Sequence, residues 1–537
     1  MIADALAAAG VEWAFTVPGE SFLGILDALP AAGISVVATR HEGGAAFMAE
    51  AIGQLTGKPA AVLGTRAVGA ANMSIGIHTA RANSTPMVAI LGQVQRQFLG
   101  REAFQEADLV ASFGALAKWA AQIDEPNDAA RVVGEGLSAM LSGRPGPVLF
   151  AVPEEVIDIA NANSKARLAL VRPAPPSAEN IRVIIDMLDG AERPAILAGG
   201  GVVASGAQDE LVALSERLAV PVFAAWRRPT AFPNDHPNYL GMTGYGAPSR
   251  VRERLLAADA LLVIGCRLNE VASYDYQLPA PTTRWAHVDL EPRTAHAGLG
   301  APDFALAAEA KTFLERAVEV APSAGFTSRR LQVDADRAAF VVATTVAHER
   351  RDGNGVDPAR AMADLQQTLD PHAILTTDAG NFGLWPARYF RFGRRNSFLG
   401  PTSGAMGYGL PAAIAASLAA PGRQVIALCG DGGLAMTMNE LETAVRSGAA
   451  PVVIVFDNRR FGTIAMHQVN AQLPTVATEL GPIDFAAIAR ACGAEGVRVS
   501  DDQAFEPALR AALASRRPTV IHVDQDPRWI TPDRYAG

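Results

Sequence analysis

Residues 425–458 read VIALCGDGGLAMTMNELETAVRSGAAPVVIVFDN, and this stretch decides the fold. Two short apolar runs, 425–428 and 452–456, are rich in β-branched residues and typical of buried strands. Between them apolar residues recur at helical spacing until Gly448 and Pro451 end the helix. Strand, helix and strand in this order predict one βαβ unit of a parallel sheet.

Polar residues follow both strands at the point where each strand ends. Asp431, within Gly430-Asp431-Gly432-Gly433, follows the first strand, and Asn458 follows the second. If the strands pair directly, their ends lie about 5 Å apart, so the two side chains converge. With a backbone carbonyl, for which Arg460 is the nearest candidate, they form a hard-oxygen ligand set suited to Mg²⁺. The glycines would let backbone N–H groups approach a phosphate.

Each of these motifs alone is more often a glycine-rich turn or an asparagine that ends a strand. Both together, with a helix between them, favour the metal site. Their spacing resembles the diphosphate–metal motif of enzymes that depend on thiamine diphosphate. Three other stretches resemble further parts of that family, namely residues 40–46 (RHEGGAA), 378–382 (DAGNF) and 402–413 (TSGAMGYGLPAA).

The resemblance runs in chain order over essentially the whole sequence. Within the family, residues 92–94 (GQV) and 103–106 (AFQE) most resemble acetohydroxyacid (acetolactate) synthases and their uncharacterised relatives. Asn381-Phe382 stands where those synthases often have Gln-His, which removes one possible donor to the diphosphate.

The resemblance implies roles for individual residues. Glu42 would bond to a ring nitrogen of the aminopyrimidine, and partial burial of a carboxyl raises its pKa so that it can share that proton. Met406 would be the wedge that bends the cofactor, and the carbonyl of Gly404 would accept a hydrogen bond from its amine. The other interpretations are an ordinary helix-start acid for Glu42 and a core filler for Met406.

The complete set of candidates follows from these matches. The catalytic candidates are Glu42, Gln105 and His467. The cofactor-binding candidates are Glu42, Gly380, Asn381, Gly404, Met406, Gly430, Asp431, Gly432, Gly433 and Asn458. The metal candidates are Asp431, Asn458 and Arg460.

Three departures from the synthases concern the substrate. Arg66 lies in a loop that lacks the expected Gly-Pro-Gly, and it could bind a substrate carboxylate or be a surface charge. Glu20 replaces a small residue and adds an acid at the mouth of the site. His467 replaces a tryptophan involved in choosing the acceptor, and it could transfer protons near neutral pH or be a hydrogen-bonded structural residue.

The length of 537 residues predicts several domains. Irregular stretches at Asn161–Asn180 and Ala321–Gly355 separate three α/β blocks. We therefore expect three doubly wound parallel-sheet domains: a pyrimidine-binding domain (1–165), a central Rossmann-like domain (178–325) and a diphosphate- and Mg²⁺-binding domain (350–537). The similar patterns at the two ends suggest related domains.

Composition excludes several classes of partner. The net charge is −9 and no long basic run occurs, which argues against nucleic acid. No apolar run is long enough to span a bilayer, and the N-terminus lacks the basic start of a signal peptide. Three scattered cysteines are typical of a reduced protein, so we expect a cytoplasmic location and no membrane association.

The central block contains Gly199-Gly200-Gly201, which lacks the full dinucleotide fingerprint. In the synthases this domain holds FAD in a non-redox role, and Arg267 and residues 241–244 resemble contacts there. Related enzymes bind other nucleotides or none, so FAD is possible and the alternatives stay open.

The resemblance implies a carboligase of the acetolactate synthase type that decarboxylates a 2-oxo acid such as pyruvate and passes the remainder to an acceptor. A 2-oxo acid decarboxylase or a 2-hydroxyacyl lyase has the same scaffold and cofactor. A non-catalytic nucleotide-binding subunit is disfavoured, because it predicts loss of Glu42 or Asp431. In the family the cofactor lies between domains of two chains, so we expect a homodimer or homotetramer.

Overall fold

Three six-stranded parallel sheets form the framework of the computed structural model, which describes residues 1–158, 165–293, 300–322, 326–347, 355–393 and 397–535. The strands of the first sheet are β1 (Trp13–Thr16), β2 (Ser35–Ala38), β3 (Ala60–Thr65), β4 (Met87–Gln93), β5 (Trp119–Gln122) and β6 (Pro147–Pro153). Its helices are α1 (Ile2–Ala8), α2 (Leu23–Ala31), α3 (Glu42–Thr56), α4 (Arg66–Asn83), α5 (Leu109–Phe113), α6 (Ala129–Leu141) and α7 (Glu154–Asp158).

The second sheet occupies the middle of the chain. Its strands are β7 (Pro194–Ala198), β8 (Val222–Ala224), β9 (Tyr239–Met242), β10 (Ala260–Ile264), β11 (Arg284–Asp289) and β12 (Phe304–Ala307). The helices around it are α8 (Ala178–Asp189), α9 (Gly200–Ala204), α10 (Gln208–Leu218), α11 (Ser249–Leu256), α12 (Ala310–Val320) and α13 (Thr327–Ala343).

The third sheet contains the strand–helix–strand stretch of residues 425–458. Its strands are β13 (Ile374–Thr377), β14 (Ser397–Leu399), β15 (Val425–Gly430), β16 (Val452–Asp457), β17 (Glu495–Val499) and β18 (Thr519–Asp524). Its helices are α14 (Pro358–Thr368), α15 (Leu384–Tyr389), α16 (Gly409–Ala419), α17 (Asp431–Thr437), α18 (Glu440–Ser447), α19 (Gly462–Asn470), α20 (Phe485–Ala491) and α21 (Asp502–Ser515). A terminal hairpin, β19 (Trp529–Thr531) and β20 (Arg534–Tyr535), follows it.

The strand orders confirm the predicted fold class. The first sheet runs β2-β1-β3-β4-β6-β5 and the third β14-β13-β15-β16-β18-β17, which is the same order and supports the expected relation between the two ends. The second sheet runs β12-β11-β10-β7-β8-β9, the order of a Rossmann fold. Helices cover the sheets, so strands such as β4 and β16 are buried along their whole length and read as apolar runs.

The first and third sheets share one hydrophobic core. Apolar residues of α3 and α4 pack with those of α16 and α18 in a single buried cluster, whereas the central sheet has its own. The start of α3 is thereby held against the third sheet's helices, close to the motifs that the sequence singles out.

The prediction of an irregular stretch over Ala321–Gly355 is wrong for α13. This helix is amphipathic but polar, with Val333 and Phe340 buried. Its arginines fasten it to the central sheet: Arg329 donates to the carbonyl oxygens of Leu218 (2.8 Å) and Ala191 (2.7 Å). Because these hydrogen bonds hold the helix, it needs few apolar residues and has only a weak apolar periodicity. Its sequence therefore resembles that of a linker. The Arg/Asp/Gly/Asn run at 351–354 lies outside the described residues, as does 159–164 of the first break.

Two further observations concern the chain as a whole. No helix in the described ranges is long and apolar enough to cross a membrane. All three cysteines are free thiols; Cys266 and Cys429 are buried, and Cys492 is partly exposed.

Candidate cofactor site

Glu42 is the first residue of α3. The helix begins there because the side chain of His41 caps it, accepting a hydrogen bond from the backbone N–H of Gly43 at 3.0 Å. The Glu42 carboxylate is partly buried, and its Oε2 accepts a hydrogen bond from Asn72 Nδ2 at 2.9 Å. Gly69 lies beside this carboxylate: a Cβ atom added to the glycine would be 3.5 Å from Glu42 Oε1. The side chain is therefore held in a defined position at the start of two helices.

Glu440 positions the same helix start from the third sheet. Both of its carboxylate oxygens lie 3.2 Å from the backbone N of Arg40, and the side chain is fully buried. A Cβ on Gly44 would come within 2.5 Å of Glu440 Oε1, so this position requires glycine. Burial raises the pKa of Glu440. Glu440 was not predicted from the sequence, because it lies 400 positions from Arg40 and no local motif connects the two.

Gln105 lies beside the start of α4. Its carbonyl oxygen accepts a hydrogen bond from the backbone N–H of Ala67 at 3.3 Å, and its backbone is left-handed with φ 61°. The side-chain Oε1 is buried and has no hydrogen-bond partner in the described structure. A buried acceptor of this kind is available to a ligand.

Arg66 is not a surface charge. It is 9% exposed, has a left-handed backbone (φ 45°), and lies 3.4 Å from Glu20 and 3.6 Å from Glu154. It lines a cavity of about 390 Å³ in the first domain together with the ring of Phe104. A buried arginine between two acids remains a candidate for contact with a polar substrate group, as the sequence suggested.

The ends of β15 and β16 meet as predicted. The two strands pair directly, with Gly430 opposite Phe456, so Asp431 and Asp457 are the next residues on each. Their carboxyl groups are hydrogen bonded to each other. Burial first, and then the charge of Asp457, raises the pKa of Asp431 to about 7.

Asp457 was absent from the predicted ligands, although it directly precedes Asn458. His522 Nε2 lies 3.0 Å from Asp457 Oδ2. Burial opposes ionisation of Asp457, but the hydrogen bond and the charge of His522, the backbone N–H of Arg459 and the contact with Asp431 together lower the pKa of that carboxyl. The pKa of Asp457 is thus lowered, whereas that of its neighbour Asp431 is raised.

Asn458 and Arg460 lie in the turn after β16. Asn458 Oδ1 accepts a hydrogen bond from the backbone N–H of Arg460 at 3.1 Å. The Arg460 carbonyl accepts one from Gly462 at 2.8 Å and retains a second lone pair. The guanidinium points to Glu479, at 2.7 Å, so only the backbone of Arg460 can contribute to a metal.

The glycines after β15 are required by their neighbours. A Cβ on Gly433 would lie 2.4 Å from Asp378 Oδ2, and a Cβ on Gly432 would lie 2.6 Å from the ring of Phe461. Gly430 faces the ring of Phe382 in the same way. The start of α17 is thus packed closely against these side chains.

Four predicted residues line one cavity of about 420 Å³ between the central and third sheets: Gly380, Asn381, Gly404 and His467. The rest of the lining is mainly apolar and includes side chains from the central domain such as Trp226 and Met242. Among the described residues that line it, none belongs to the first domain. Glu42 and Gln105 therefore face elsewhere in a single chain.

Asn381 and Phe382 separate into different environments. Asn381 Nδ2 donates to the carbonyl of Ile530 at 3.0 Å, which brings the terminal hairpin to the cavity edge. Phe382 is buried and stacks on Phe456 at 6.3 Å between ring centroids. The phenylalanine that replaces a family histidine is thus part of the core, whereas Met406 is partly exposed next to the fully accessible Gly404.

Three family models match this chain in order. They are the N-terminal TPP binding domain of thiamine pyrophosphate enzymes over residues 1–112, the central domain over 181–317, and the C-terminal TPP binding domain over 378–523. The chain belongs to the thiamine pyrophosphate enzyme family. Each match falls within one of the three α/β domains, and the two TPP binding domains contain Glu42 and Asp431.

Individual relatives refine this assignment of the thiamine pyrophosphate enzyme. A probable acetolactate synthase large subunit of Methanocaldococcus jannaschii is 30% identical over 99% of this chain and 92% of its own length. The acetolactate synthase large subunit of Parasynechococcus marenigrum is 30% identical over 97% and 86%. A sulfoacetaldehyde acetyltransferase of Castellaniella defragrans is 29% identical over 97% and 92%. The chain is thus a thiamine-diphosphate-dependent carboligase or transferase of the acetolactate synthase family.

The donor atoms at the β15–β16 edge fit a divalent metal in this thiamine pyrophosphate enzyme. Asp431 and Asp457 lie side by side at the ends of paired strands, where a cation would offset the repulsion of their charges. Asn458 and the backbone of Arg460 add oxygen atoms of the kind that Mg²⁺ prefers.

The structure gives one observation on the residues of the central domain that resemble FAD contacts. Arg267 donates hydrogen bonds of 3.0 Å to the last carbonyls of α4, at Arg81 and Ala82. Arg267 is thus engaged by the protein itself.

Proposed function

We propose that this protein is a Mg²⁺-dependent carboligase of the acetolactate synthase type. It decarboxylates a 2-oxo acid such as pyruvate and transfers the remainder to an acceptor. The three domains that carry the activity span residues 1–165, 178–325 and 350–537 in this proposal, with α13 added to the central one.

The proposal depends mainly on one observation. The chain has both carboxyl groups that the cofactor requires, and each belongs to the first residue of a helix. Glu42 is fixed at the start of α3 by Asn72, and Asp431 faces Asp457 at the start of α17. A subunit that had lost its activity would have no reason to keep both. The presence of the pair supports a working enzyme.

When bound, thiamine diphosphate supplies the reactive carbon and the electron sink. Glu42 would hold and exchange a proton at the aminopyrimidine, and the carbonyl of Gly404 would orient its amine. Met406 would support the bent shape. The diphosphate would rest on the backbone of Gly380 and Asn381 and of Gly430, Gly432 and Gly433.

Asp431, Asn458 and the Arg460 carbonyl would hold the metal in the same proposal. The apolar lining of the 420 Å³ cavity would exclude water from the reacting carbon. Gln105, whose Oε1 has no partner within the described residues, would accept a hydrogen bond from the substrate.

A second function is favoured by one residue. His467 lines the 420 Å³ cavity, where a proton donor could protonate the substrate remainder before it meets an acceptor. That outcome is a 2-oxo acid decarboxylase, or a 2-hydroxyacyl lyase if the reaction runs in the cleaving direction. Substitution by phenylalanine, which cannot donate a proton, would shift products from aldehyde towards ligated acid.

We propose that the active form is a homodimer or a homotetramer with sites between chains. Glu42 is not among the residues that line the 420 Å³ cavity of its own chain, and a partner's third domain would bring the two together. Large apolar side chains are exposed on the first and third domains, which supports burial against a second copy. They include Val68, Ile75 and Phe104 on the first domain and Met436, Ile464 and Leu473 on the third.

FAD and the cell compartment remain predictions. Because Arg267 is engaged by the protein itself, we propose that the enzyme works without FAD. Purified protein without flavin absorbance would support this, and stoichiometric flavin would contradict it. The cytoplasmic location would be tested by fractionation of the source cells.

The decisive assay uses the purified protein with thiamine diphosphate, Mg²⁺ and a panel of 2-oxo acids, with products identified by mass spectrometry. Ligated hydroxy-oxo acids are expected under the leading proposal. Free aldehydes alone would identify the decarboxylase instead. No consumption of any 2-oxo acid, with cofactor bound, would contradict both and point to cleavage of a 2-hydroxyacyl substrate.

A further inference from the structure

An arginine of the central domain reaches into the third domain beside the cofactor candidates. Arg227 follows β8, and its Nη2 donates a hydrogen bond of 3.1 Å to the carbonyl oxygen of Asp378. It is 8% exposed, and its guanidinium lies over the ring of Trp226 at 5.0 Å. Its backbone is left-handed, with φ 58°, a conformation that is unfavourable for a non-glycine residue. The surrounding contacts must hold the residue in this conformation.

Asp378 connects three backbone segments that the proposed site uses. Its Oδ1 accepts hydrogen bonds of 2.7 Å from the backbone N–H groups of Ala379 and Gly407. Its Oδ2 faces Gly433 so closely that a Cβ there would lie 2.4 Å away. The side chain is fully buried and thus joins the segment that holds Gly380, the segment that holds Gly404, and the start of α17.

The next arginine holds one of these segments from the other side. Arg228 Nη2 donates a hydrogen bond of 3.0 Å to Asn83 Oδ1, at the end of α4. The same oxygen accepts a hydrogen bond of 3.0 Å from the backbone N–H of Thr402. The segment from Thr402 to Gly407 is therefore fixed at both ends by groups that central-domain arginines contact.

Charge explains why Asp378 needs this arginine. A buried carboxyl without a cation prefers its proton, and a protonated oxygen is a poor acceptor for backbone N–H groups. Arg227 is the cation that favours the ionised form. Arg227 contacts Asp378 through the main-chain carbonyl oxygen and favours the ionised carboxylate through its charge, so loss of the arginine would loosen the main chain and disfavour that charge together.

We infer that Arg227 and Asp378 form a positioning pair through which the central domain fixes the backbone segments that bind thiamine diphosphate. This inference rests on the proposed function. The central domain then contributes to cofactor affinity through the backbone segments that Asp378 joins.

The test measures the affinity of thiamine diphosphate by calorimetry at saturating Mg²⁺, with the full-length protein. Arg227→Met and Asp378→Asn are each expected to weaken binding about 10- to 100-fold, the range typical of residues that support a metal site from behind. Arg227→Lys keeps the charge but not the planar fork, and should bind better than Arg227→Met but worse than the wild type. The double variant should lose no more than the worse single variant, because the two residues act as one unit.

Arg329→Met is the matched control. Arg329 also lies in the central domain, donates to backbone carbonyls and stacks over an aromatic ring, at 4.6 Å from Phe326. It supports α13 and should leave cofactor affinity unchanged even if it lowers the melting temperature. This separates a loss of positioning from a general loss of stability.

The outcomes are distinct. Wild-type affinity in Arg227→Met, multiplicative losses in the double variant, or an equal loss in Arg329→Met would overturn the positioning pair. If Asp378→Asn does not fold, the test is the comparison of Arg227→Met with Arg227→Lys. Equal affinities of these two variants for thiamine diphosphate would overturn the inference. Failure of the wild type to bind thiamine diphosphate would instead overturn the proposed function.

Discussion

The carboxyl groups of Asp431 and Asp457 are hydrogen bonded to each other at the ends of two paired strands. Two acids keep this contact only while one holds a proton, and the pKa of Asp431 is accordingly raised to about 7 by burial and by the charge of Asp457. A divalent cation would remove the need for that proton. This arrangement supports the proposed metal site.

Asp431→Ala should purify without thiamine diphosphate. The substitution removes a hard ligand and leaves the metal and diphosphate charges poorly matched. The measurement is the cofactor content of protein purified with excess thiamine diphosphate and Mg²⁺. Asp334→Ala, an exposed acid on α13, is the control and should retain wild-type content. Full cofactor in the Asp431 variant, or equal affinity of the wild type in excess EDTA, would refute the metal site.

Mixed protomers test whether sites lie between chains. Glu42→Gln and Asp431→Ala should each be inactive as homo-oligomers, but a mixed dimer has one site with both defects and one with neither. Random exchange of protomers should leave about a quarter of the sites intact. Activity that appears on mixing supports shared sites, whereas no recovery despite exchange verified by native mass spectrometry would place each site within one chain.

Gly433→Ala should weaken cofactor binding and lower stability. Alanine alone would favour a helix by up to about 1 kcal/mol, but its Cβ would lie 2.4 Å from Asp378 Oδ2. The Asp378 carboxylate is held by backbone hydrogen bonds and has little room to move. Gly481→Ala, in open space with an ordinary backbone, is the control. Unchanged affinity and melting temperature in Gly433→Ala would mean that this packing is unimportant.

Asp378 should make the apoprotein less stable as the pH rises through the range from about 4 to 6. Burial raises its pKa to about 6, although the N–H groups of Ala379 and Gly407 and the charge of Arg227 lower it, and the Cys429 thiol lies nearby. The folded state then binds this proton more tightly than the unfolded state, so its contribution is largest below about pH 4 and is lost by about pH 6.

The change amounts to about 3 kcal/mol if the whole shift is realised. Relative to the wild type, Asp378→Asn should therefore gain stability between pH 4.5 and 7, a range set by the pKa of about 6. Melting temperatures of the two proteins, measured side by side across this range, test the sign. Parallel curves would show that Asp378 does not titrate there.

The sequence predicted the sheets because buried parallel strands read as apolar runs, and 425–458 contains two of them with polar residues at their ends. The sequence left the direct pairing of β15 with β16 open, and the structure shows that they pair. Asp457 was overlooked as a participant because an aspartate at a strand end is common.

Other parts depend on contacts that no spacing encodes. Arg227 meets Asp378 across 151 positions, and Arg66 is buried by acids from two distant elements. The helix α13 was missed because arginine hydrogen bonds to carbonyls, rather than a broad apolar face, hold it in place. In each case, polar groups that are far apart in the sequence meet only in the folded chain.

The central claim is that Glu42 activates thiamine diphosphate without anchoring it. Glu42→Gln keeps the shape and the contact with Asn72 but cannot hand over a proton. Loss of such an acid–base step costs about 10²–10⁴ in rate, whereas one neutral hydrogen bond is worth about 0.5–1.5 kcal/mol, so affinity should fall about tenfold at most. Glu12→Gln, an exposed acid paired with Lys58, is the matched control.

The most direct measurement is deuterium exchange at C2 of the bound cofactor, followed by NMR after acid quench, which requires no knowledge of the substrate. The account predicts that Glu42→Gln binds thiamine diphosphate yet exchanges this proton about 10²–10⁴ times more slowly than the wild type. Wild-type exchange in that variant would contradict the account and make Glu42 an ordinary acid at the start of a helix.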